Sequence, residues 1–300
     1  MSLDSNVFYG EPIMTTFSIC WIIAFIILAP ILGGLIAGAD RIITARMQSR
    51  VGPPIRQPFY DVLKLFGKEN LVVNRYHVDY VACFLIFTML AGVLFFGGAN
   101  LLLSVFALIV AGVFIVLAAY CTNSPYALIG AERELLQMIA AEPMILLAPV
   151  GLYMATGSFN VYDIASAECA PIWYLPGVFI ALTYVLTIKL RKSPFDLSTS
   201  HHGHQELVKG LTTEFAGPSL ALFEIAHWYE TVLLLGMIYL FFGSHWIWGI
   251  IAAAIIYLIE IFIDNINARI KWELMIVSAW VVTLILGVGN LFVLYFYIHS

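Results

Sequence analysis

Several acidic residues stand inside stretches of sequence that are otherwise apolar. Glu142 precedes Pro143 in one such stretch, and Glu224, His227 and Glu230 recur at steps of three residues in another. Steps of three residues keep side chains within an arc of about 120° on a helix, so these three residues share a face. Carboxyl and imidazole groups can bind and release protons, and carboxylates deep in an apolar medium are costly to maintain without a function. The pattern predicts a proton relay, with satisfied helix–helix hydrogen bonds as the alternative.

Other acidic residues lie near the ends of apolar stretches. Glu260 and Asp264 are four residues apart and share a helix face, but Arg269 is close enough in sequence for a simple ion pair with them. A relay role and an ion pair therefore both remain open for these two residues. The predicted relay consists of Glu132, Glu134, Glu142, Glu224, His227, Glu230, Glu260 and Asp264.

The composition places these groups in a membrane protein. The chain has 300 residues, of which 62% are hydrophobic and 11% are charged. Average soluble domains have about 45–50% apolar and about 25% charged residues, so a soluble monomer is excluded. The four cysteines are isolated from one another, which excludes a four-thiolate metal or iron–sulfur site within the chain. We expect no metal and no cofactor in this chain.

The apolar stretches are long and continuous, as in transmembrane helices. A helix needs about 20 apolar residues to cross a bilayer, whereas barrel strands alternate over about 10 residues. The sequence predicts an all-α integral membrane protein, a single domain over residues 1–300. Its eight spans are about 17–39, 78–97, 101–121, 135–156, 173–190, 217–242, 246–263 and 274–298.

The basic residues predict the orientation of these spans. All 14 lysines and arginines lie in the connections between spans one and two, three and four, five and six, and seven and eight, or, for Lys189, at the end of span five. With eight helices they all fall on one side of the membrane, which the positive-inside rule assigns to the cytoplasm. Both termini are then predicted on the outer side. We expect a multi-pass protein of a prokaryotic cytoplasmic membrane.

The first cytoplasmic connection contains a second kind of helix. Pro53 and Pro54 follow the first span, and residues 57–68 then alternate apolar side chains with Asp61, Lys64 and Lys68. This pattern predicts a short amphipathic helix that lies along the membrane surface or under a partner protein.

Three sequence motifs resemble a known family. The runs RVGPP-x-x-QPFYDVLKLFGKE, YALIGAERELLQ-x-x-x-AEP and SPFDL…QELVKG…TEFAG occur in the order found in the membrane subunit shared by respiratory complex I and the energy-converting nickel–iron hydrogenases of group 4. The resemblance covers about residues 15–290. The segments HHGHQELVKGLTTEFAG and HWYET resemble the Ech-type hydrogenase branch in particular.

The resemblance implies a function that composition alone does not. It implies a membrane anchor that is not catalytic alone and that couples ferredoxin-driven proton reduction, or the reverse, to proton or sodium transport. The implied partners are the iron–sulfur small subunit, the nickel–iron large subunit, an antiporter-like membrane subunit, a polyferredoxin-like subunit and, indirectly, ferredoxin. The 4Fe-4S clusters and the NiFe centre are expected in those partner subunits.

The cytoplasmic loop after Asp196 departs from the quinone-reducing relatives. His201, His202 and His204 stand where those relatives have an acidic, proline-containing stretch. A metal site, an electrostatic sensor of a docked cluster and a simple packing loop are all open interpretations, although histidines without nearby thiolates are a weak metal signal. The predicted cytoplasmic mouth and docking surface consists of Arg46, Arg50, Arg133, Asp196, His201, His202, His204, Glu206 and Glu214.

Two other functions are compatible with the same sequence. One is the quinone-binding membrane subunit of a complex I-type dehydrogenase, and the other is a stand-alone cation transporter that uses the same carboxylates. The chain has neither a phosphate-binding glycine loop nor a nucleophile elbow, and it has no basic stripe suited to nucleic acid.

Overall fold

The computed structural model describes residues 16–69, 75–199 and 209–299. The helices are α1 (Thr16–Met47), α2 (Gln57–Phe66), α3 (Arg75–Phe96), α4 (Leu101–Tyr120), α5 (Pro125–Thr156), α6 (Val161–Ala165), α7 (Pro176–Lys189), α8 (Pro218–Leu240), α9 (Trp246–Ile266), α10 (Trp272–Val282) and α11 (Gly289–His299). A π-helical stretch, Thr283–Val288, joins the last two into one continuous rod. The predicted all-α class is confirmed for these residues.

Seven of the helical segments are long and apolar enough to cross a membrane. They correspond to all the predicted spans except the fifth, 173–190, where α7 has only 14 residues. At about 1.5 Å per residue, α7 is about 21 Å long, which is shorter than a typical hydrocarbon core of about 30 Å. The number of eight crossings and the side on which the termini lie stay predictions.

Two helices extend beyond their predicted apolar runs. Helix α1 continues through Asp40 and Arg41 to Met47, and α5 begins at Pro125 rather than near residue 135. The predicted bounds followed the loss of apolar residues, but a helix can continue through polar residues until a breaker occurs. The extension of α5 places Glu134 well inside the helix, where it packs in the bundle.

The short helix α7 lies at the centre of the bundle. Its buried residues join those of α4, α5 and α8 in the largest apolar core. Helix α7 begins at Pro176, and its first turn is capped from another helix. The Asn290 carboxamide oxygen, on α11, accepts hydrogen bonds from the backbone N–H groups of Gly177 at 2.9 Å and Val178 at 3.2 Å.

This cap gives a stability prediction. We expect Asn290→Leu to lower the free energy of unfolding by about 1–3 kcal/mol, because two backbone N–H groups lose their acceptor in partly buried surroundings. Asn267→Leu is the matched control, since Asn267 is exposed and bonds only one carbonyl of its own helix. Thermal unfolding of the purified protein measures both. Equal effects of the two substitutions would contradict the capping role.

The predicted amphipathic helix of the first connection is confirmed as α2. One side packs on α8, where Val62 is buried and the Phe59 ring lies edge-on to Trp228 with centroids 5.3 Å apart. The opposite side exposes apolar residues, among them Tyr60 and Leu63. Part of the amphipathic surface is therefore used within the chain itself.

An irregular segment follows α7 and is folded into the bundle. Residues 190–199, here called the 190–199 segment, are buried apart from a half-buried Leu197. The short helical turn Gly210–Thr212 covers this segment, because the N–H of Leu211 donates to the carbonyl of Ser198 at 2.9 Å. That turn also contacts α5 at Gly130, where a Cβ would collide with the Leu211 backbone. Glycine at position 130 thus permits the close approach of these two backbones.

Candidate functional site

Arg191, in the 190–199 segment, is the centre of a buried cluster of charges. Its guanidinium is 5% exposed and donates from Nε and Nη2 to the carboxylate of Glu134 on α5, with the shortest distance 2.7 Å. Its Nη1 lies 3.6 Å from a carboxylate oxygen of Glu230 on α8, which is 2% exposed. One cation therefore bridges two predicted relay carboxylates from two different helices.

Two more side chains complete the Arg191 cluster. The Lys189 ammonium lies 3.8 Å from the other carboxylate oxygen of Glu230. The His227 Nδ1 atom lies 3.4 Å from Glu230 and 3.5 Å from the Arg191 guanidinium. The Arg191 cluster thus consists of Glu134, Lys189, Arg191, His227 and Glu230.

The carboxylates determine the charge state of Arg191. Burial alone would lower the pKa of its guanidinium, but the charges of Glu134 and Glu230 outweigh burial and raise that pKa. Arg191 is therefore a permanent cation, and any charge change in this cluster has to occur on its other members.

Glu142 lies on α5 two turns beyond Glu134. Its side chain is half-buried, and one carboxylate oxygen is buried without a hydrogen-bond partner among the described residues. The charged groups that act on it are Lys189 and Glu134. Glu142 is therefore within electrostatic range of Glu134 and Lys189, two members of the Arg191 cluster.

A second group of charges surrounds Lys192. The Lys192 ammonium lies 2.6 Å from a carboxylate oxygen of Asp40 on α1 and 4.8 Å from the ring centroid of Tyr257 on α9. The Tyr257 hydroxyl donates to the same Asp40 oxygen at 3.1 Å. Glu260 and Asp264 follow on the same face of α9. The Lys192 cluster thus consists of Asp40, Lys192, Tyr257, Glu260 and Asp264.

The two acidic residues of α9 have different surroundings. Glu260 is 0% exposed, and neither of its carboxylate oxygens has a hydrogen-bond partner among the described residues. Asp264 accepts a hydrogen bond from the backbone N–H of Ser193 at 2.8 Å. Arg269, the partner considered from sequence, instead forms a two-pronged ion pair with Asp196 at 2.6 and 2.7 Å.

The 190–199 segment is attached to the helices on several sides. The Gln137 amide donates to the carbonyl of Phe195 at 2.5 Å, and the N–H of Ile270 donates to the carbonyl of Pro194 at 3.1 Å. These bonds satisfy backbone groups that would otherwise be unpaired in the bundle, which irregular backbone at this depth requires. Together with the Arg191–Glu230 and Ser193–Asp264 contacts, they attach the segment to α5, α8 and α9.

The other predicted residues lie outside these clusters. Glu224 is half-buried and forms no ion pair with described residues, and Glu132 is exposed on the surface of α5. Arg46 and Arg50 are exposed, as a docking surface would require, and Arg133 is exposed but reaches the carbonyl of Leu197 at 3.4 Å. Asp196 is buried, and Glu214 is half-buried near His77. His201, His202, His204 and Glu206 lie outside the described residues.

Sequence reasoning missed the cations of the site. Lys189, Arg191 and Lys192 were interpreted only as markers of the cytoplasmic side, but their side chains are 8%, 5% and 9% exposed in the structure. Asp40 and Tyr257 were not singled out either. A usable signal was the density of three basic residues within four positions directly after an apolar run.

The arrangement is suited to storing and moving charge. The two clusters together contain five carboxylates but only three lysine and arginine cations, and the excess lies in the Lys192 cluster. An uncompensated carboxylate in a low dielectric binds a proton rather than remaining ionised. Small shifts of the shared cations would therefore change which carboxylate is neutralised by a proton.

Comparison with known proteins identifies the family. A family model described as NADH dehydrogenase matches residues 19–295. A subunit of the NADH-quinone oxidoreductase of Carboxydothermus hydrogenoformans is 29% identical over 290 residues, covering 85% of this chain and 81% of that protein. Hydrogenase-4 component C of Escherichia coli K12 is 29% identical over 225 residues, covering 70% of this chain and 69% of that protein.

A solved structure has the same fold. A chain of the membrane-bound sulfane sulfur reductase, an archaeal respiratory membrane complex, matches with a TM-score of 0.80 and 26% identity. The match covers 91% of this chain and 99% of that chain. The resemblance found in the sequence motifs is confirmed, and the chain belongs to the NADH dehydrogenase family.

Proposed function

We propose that this chain is the ion-translocating membrane anchor of an energy-converting, ferredoxin-linked nickel–iron hydrogenase of the Ech type. The observation that carries the proposal is the buried charge network around Lys189, Arg191 and Lys192. This network reaches from half-buried Glu142 on α5 to fully buried Glu260 on α9. It passes through the 190–199 segment, which leads along the chain into the loop at which we expect a docked iron–sulfur subunit to bind.

The coupling step follows from the electrostatics of this network. Adding an electron to a docked cluster places negative charge near the cytoplasmic loop, and that charge attracts Lys189 at the end of α7 and Arg191 in the 190–199 segment. A displaced Arg191 or Lys189 leaves Glu134, Glu230 or Glu142 less compensated, and the affected carboxylate takes up a proton. Re-oxidation reverses the displacement and releases the proton. The relay carboxylates thereby exchange protons in step with electron transfer in the partner subunits.

The docking part of the proposal rests on the exposed basic residues of the first connection. Arg46 and Arg50 are exposed at the cytoplasmic end of α1 and its following turn. They are suited to contact an acidic partner subunit or anionic lipid. The expected partner set is the small and large hydrogenase subunits, an antiporter-like subunit and a polyferredoxin-like subunit.

The alternative is a quinone-binding subunit of a complex I-type dehydrogenase. The similarity to a subunit of NADH-quinone oxidoreductase favours this alternative. The similarity to hydrogenase-4 component C and the histidines at 201, 202 and 204 favour the hydrogenase.

Purification of the intact complex through a tag on this chain separates the two functions. We expect co-purifying large and small subunits that contain nickel and iron, together with ferredoxin-dependent hydrogen evolution. A nickel-free complex that reduces quinone would contradict the proposal and support the alternative. A chain that purifies without soluble partners and transports cations alone would contradict both.

A further inference from the structure

Glu260 occupies an unusual position in the Lys192 cluster. It is fully buried on α9, and neither carboxylate oxygen is hydrogen-bonded by a described residue. The groups that face it are the Thr187 hydroxyl on α7, the Lys192 ammonium and Asp264 on its own helix. Lys192, the cation that acts on Glu260, is bound to Asp40 at 2.6 Å.

The partner of Lys192 differs from Glu260 in its access to water. The Asp40 side chain is 22% exposed, near the end of α1 that carries Arg41 and Arg46, and it also accepts from the Tyr257 hydroxyl. Tyr257 and Glu260 are three residues apart and share a face of α9, and the charge of Lys192 acts on Glu260 as well as on Asp40. A lysine ammonium on a four-carbon stem can move between neighbouring carboxylates without a change in the backbone.

We propose that Lys192 and one proton exchange places between Asp40 and Glu260. In the state seen here, Lys192 neutralises ionised Asp40, and Glu260 is a protonated carboxylic acid. In the second state, Lys192 pairs with ionised Glu260, and Asp40 carries the proton. The O–H bond on Glu260 breaks and an O–H bond on Asp40 forms, so the three groups keep the same total charge in both states.

This exchange links the buried end of the relay to water. The proton moves from a group without exposed surface to a group that is partly exposed, and from there it can pass to water. Lys192 is therefore a positioning residue that determines when Glu260 releases its proton. The exchange rests on the proposed function, because it is the proton step between the buried relay and the water-accessible Asp40.

The protonation of Glu260 can be measured in the resting complex by infrared spectroscopy of carboxylic acid C=O bands. We expect the wild-type complex to show an acid band that Glu260→Gln removes. We expect Asp40→Asn to remove the same band, because Lys192 without its partner moves to Glu260, which then ionises. Asp61→Asn is the matched control, since Asp61 forms an exposed ion pair with Arg41 on the cytoplasmic surface, and this control is expected to retain the band.

Two results would overturn the proposal. One is the absence of a Glu260 band from the wild-type complex, and the other is a full-strength band in Asp40→Asn.

If Asp40→Asn does not assemble, Lys192→Met replaces it as the test. The Glu260 band of Lys192→Met should persist at alkaline pH at which the wild-type band is lost, and identical titration of the two would overturn the exchange. These spectra require no turnover, so a complex that shows the expected bands but moves no ions would contradict only the proposed function.

Discussion

Replacing Arg191 by methionine is expected to destabilise the protein by about 3–5 kcal/mol, the usual effect of removing one partner from a buried ion pair. Glu134 and Glu230 would lose their shared cation in a part of the bundle where each is almost fully buried. Arg191→Lys should recover part of this loss, because lysine restores the charge but lacks the planar fork that binds Glu134 through two nitrogens.

Thermal unfolding of the purified complex, with the amount of chain retained in the membrane, measures this effect. Arg41→Met is the matched control, since it also removes one arginine from an ion pair, but the Arg41–Asp61 pair is exposed. Exposed pairs contribute about 0–1 kcal/mol. An Arg191→Met variant as stable as Arg41→Met would show that the Arg191 cluster does not hold the bundle together.

The second large effect is expected on coupling rather than on stability. Glu142→Gln keeps the shape of the side chain but removes the group that binds a proton next to Lys189. We expect this variant to assemble and to lose most of its ion uptake for each electron transferred. Two results fit this expectation: the variant complex transfers electrons without moving ions, or it loses both electron transfer and ion movement.

Glu132→Gln provides the control on the same helix, because Glu132 is exposed and lies outside both clusters. Ion uptake and electron transfer are measured together in vesicles that contain each variant complex. If Glu142→Gln keeps the wild-type ratio of ions to electrons, Glu142 has a structural role and the relay does not pass through it.

The helices and the acidic residues within them were predictable from sequence because both depend on local pattern. Apolar runs mark the spans, and the ionisable residues within them stand out by their cost. The spacing of His227 and Glu230 also correctly indicated a shared face, since these side chains are in contact. Glu224 continues the same spacing but lies outside the Arg191 cluster, because its carboxylate forms no ion pair with a cation among the described residues.

The cations of the site could not be predicted because their burial depends on tertiary structure. The positive-inside rule assigns Lys189, Arg191 and Lys192 to the cytoplasmic side, but it does not say whether the chain there turns outward or folds back into the bundle. The 190–199 segment folds inward because Gln137, Ile270 and Leu211 satisfy its backbone. None of these partners is adjacent in sequence. The shortness of α7 has a related cause, since its first turn is capped by Asn290 from the last span.

In the proposed function, electron transfer in the partner subunits drives ions through this chain. The purified wild-type complex can be reconstituted in sealed liposomes, and internal pH and sodium followed while reduced ferredoxin is added. We expect ion movement that begins with electron transfer and an ion gradient that collapses when an ionophore is added. Sustained electron transfer without any ion movement would contradict the proposed function.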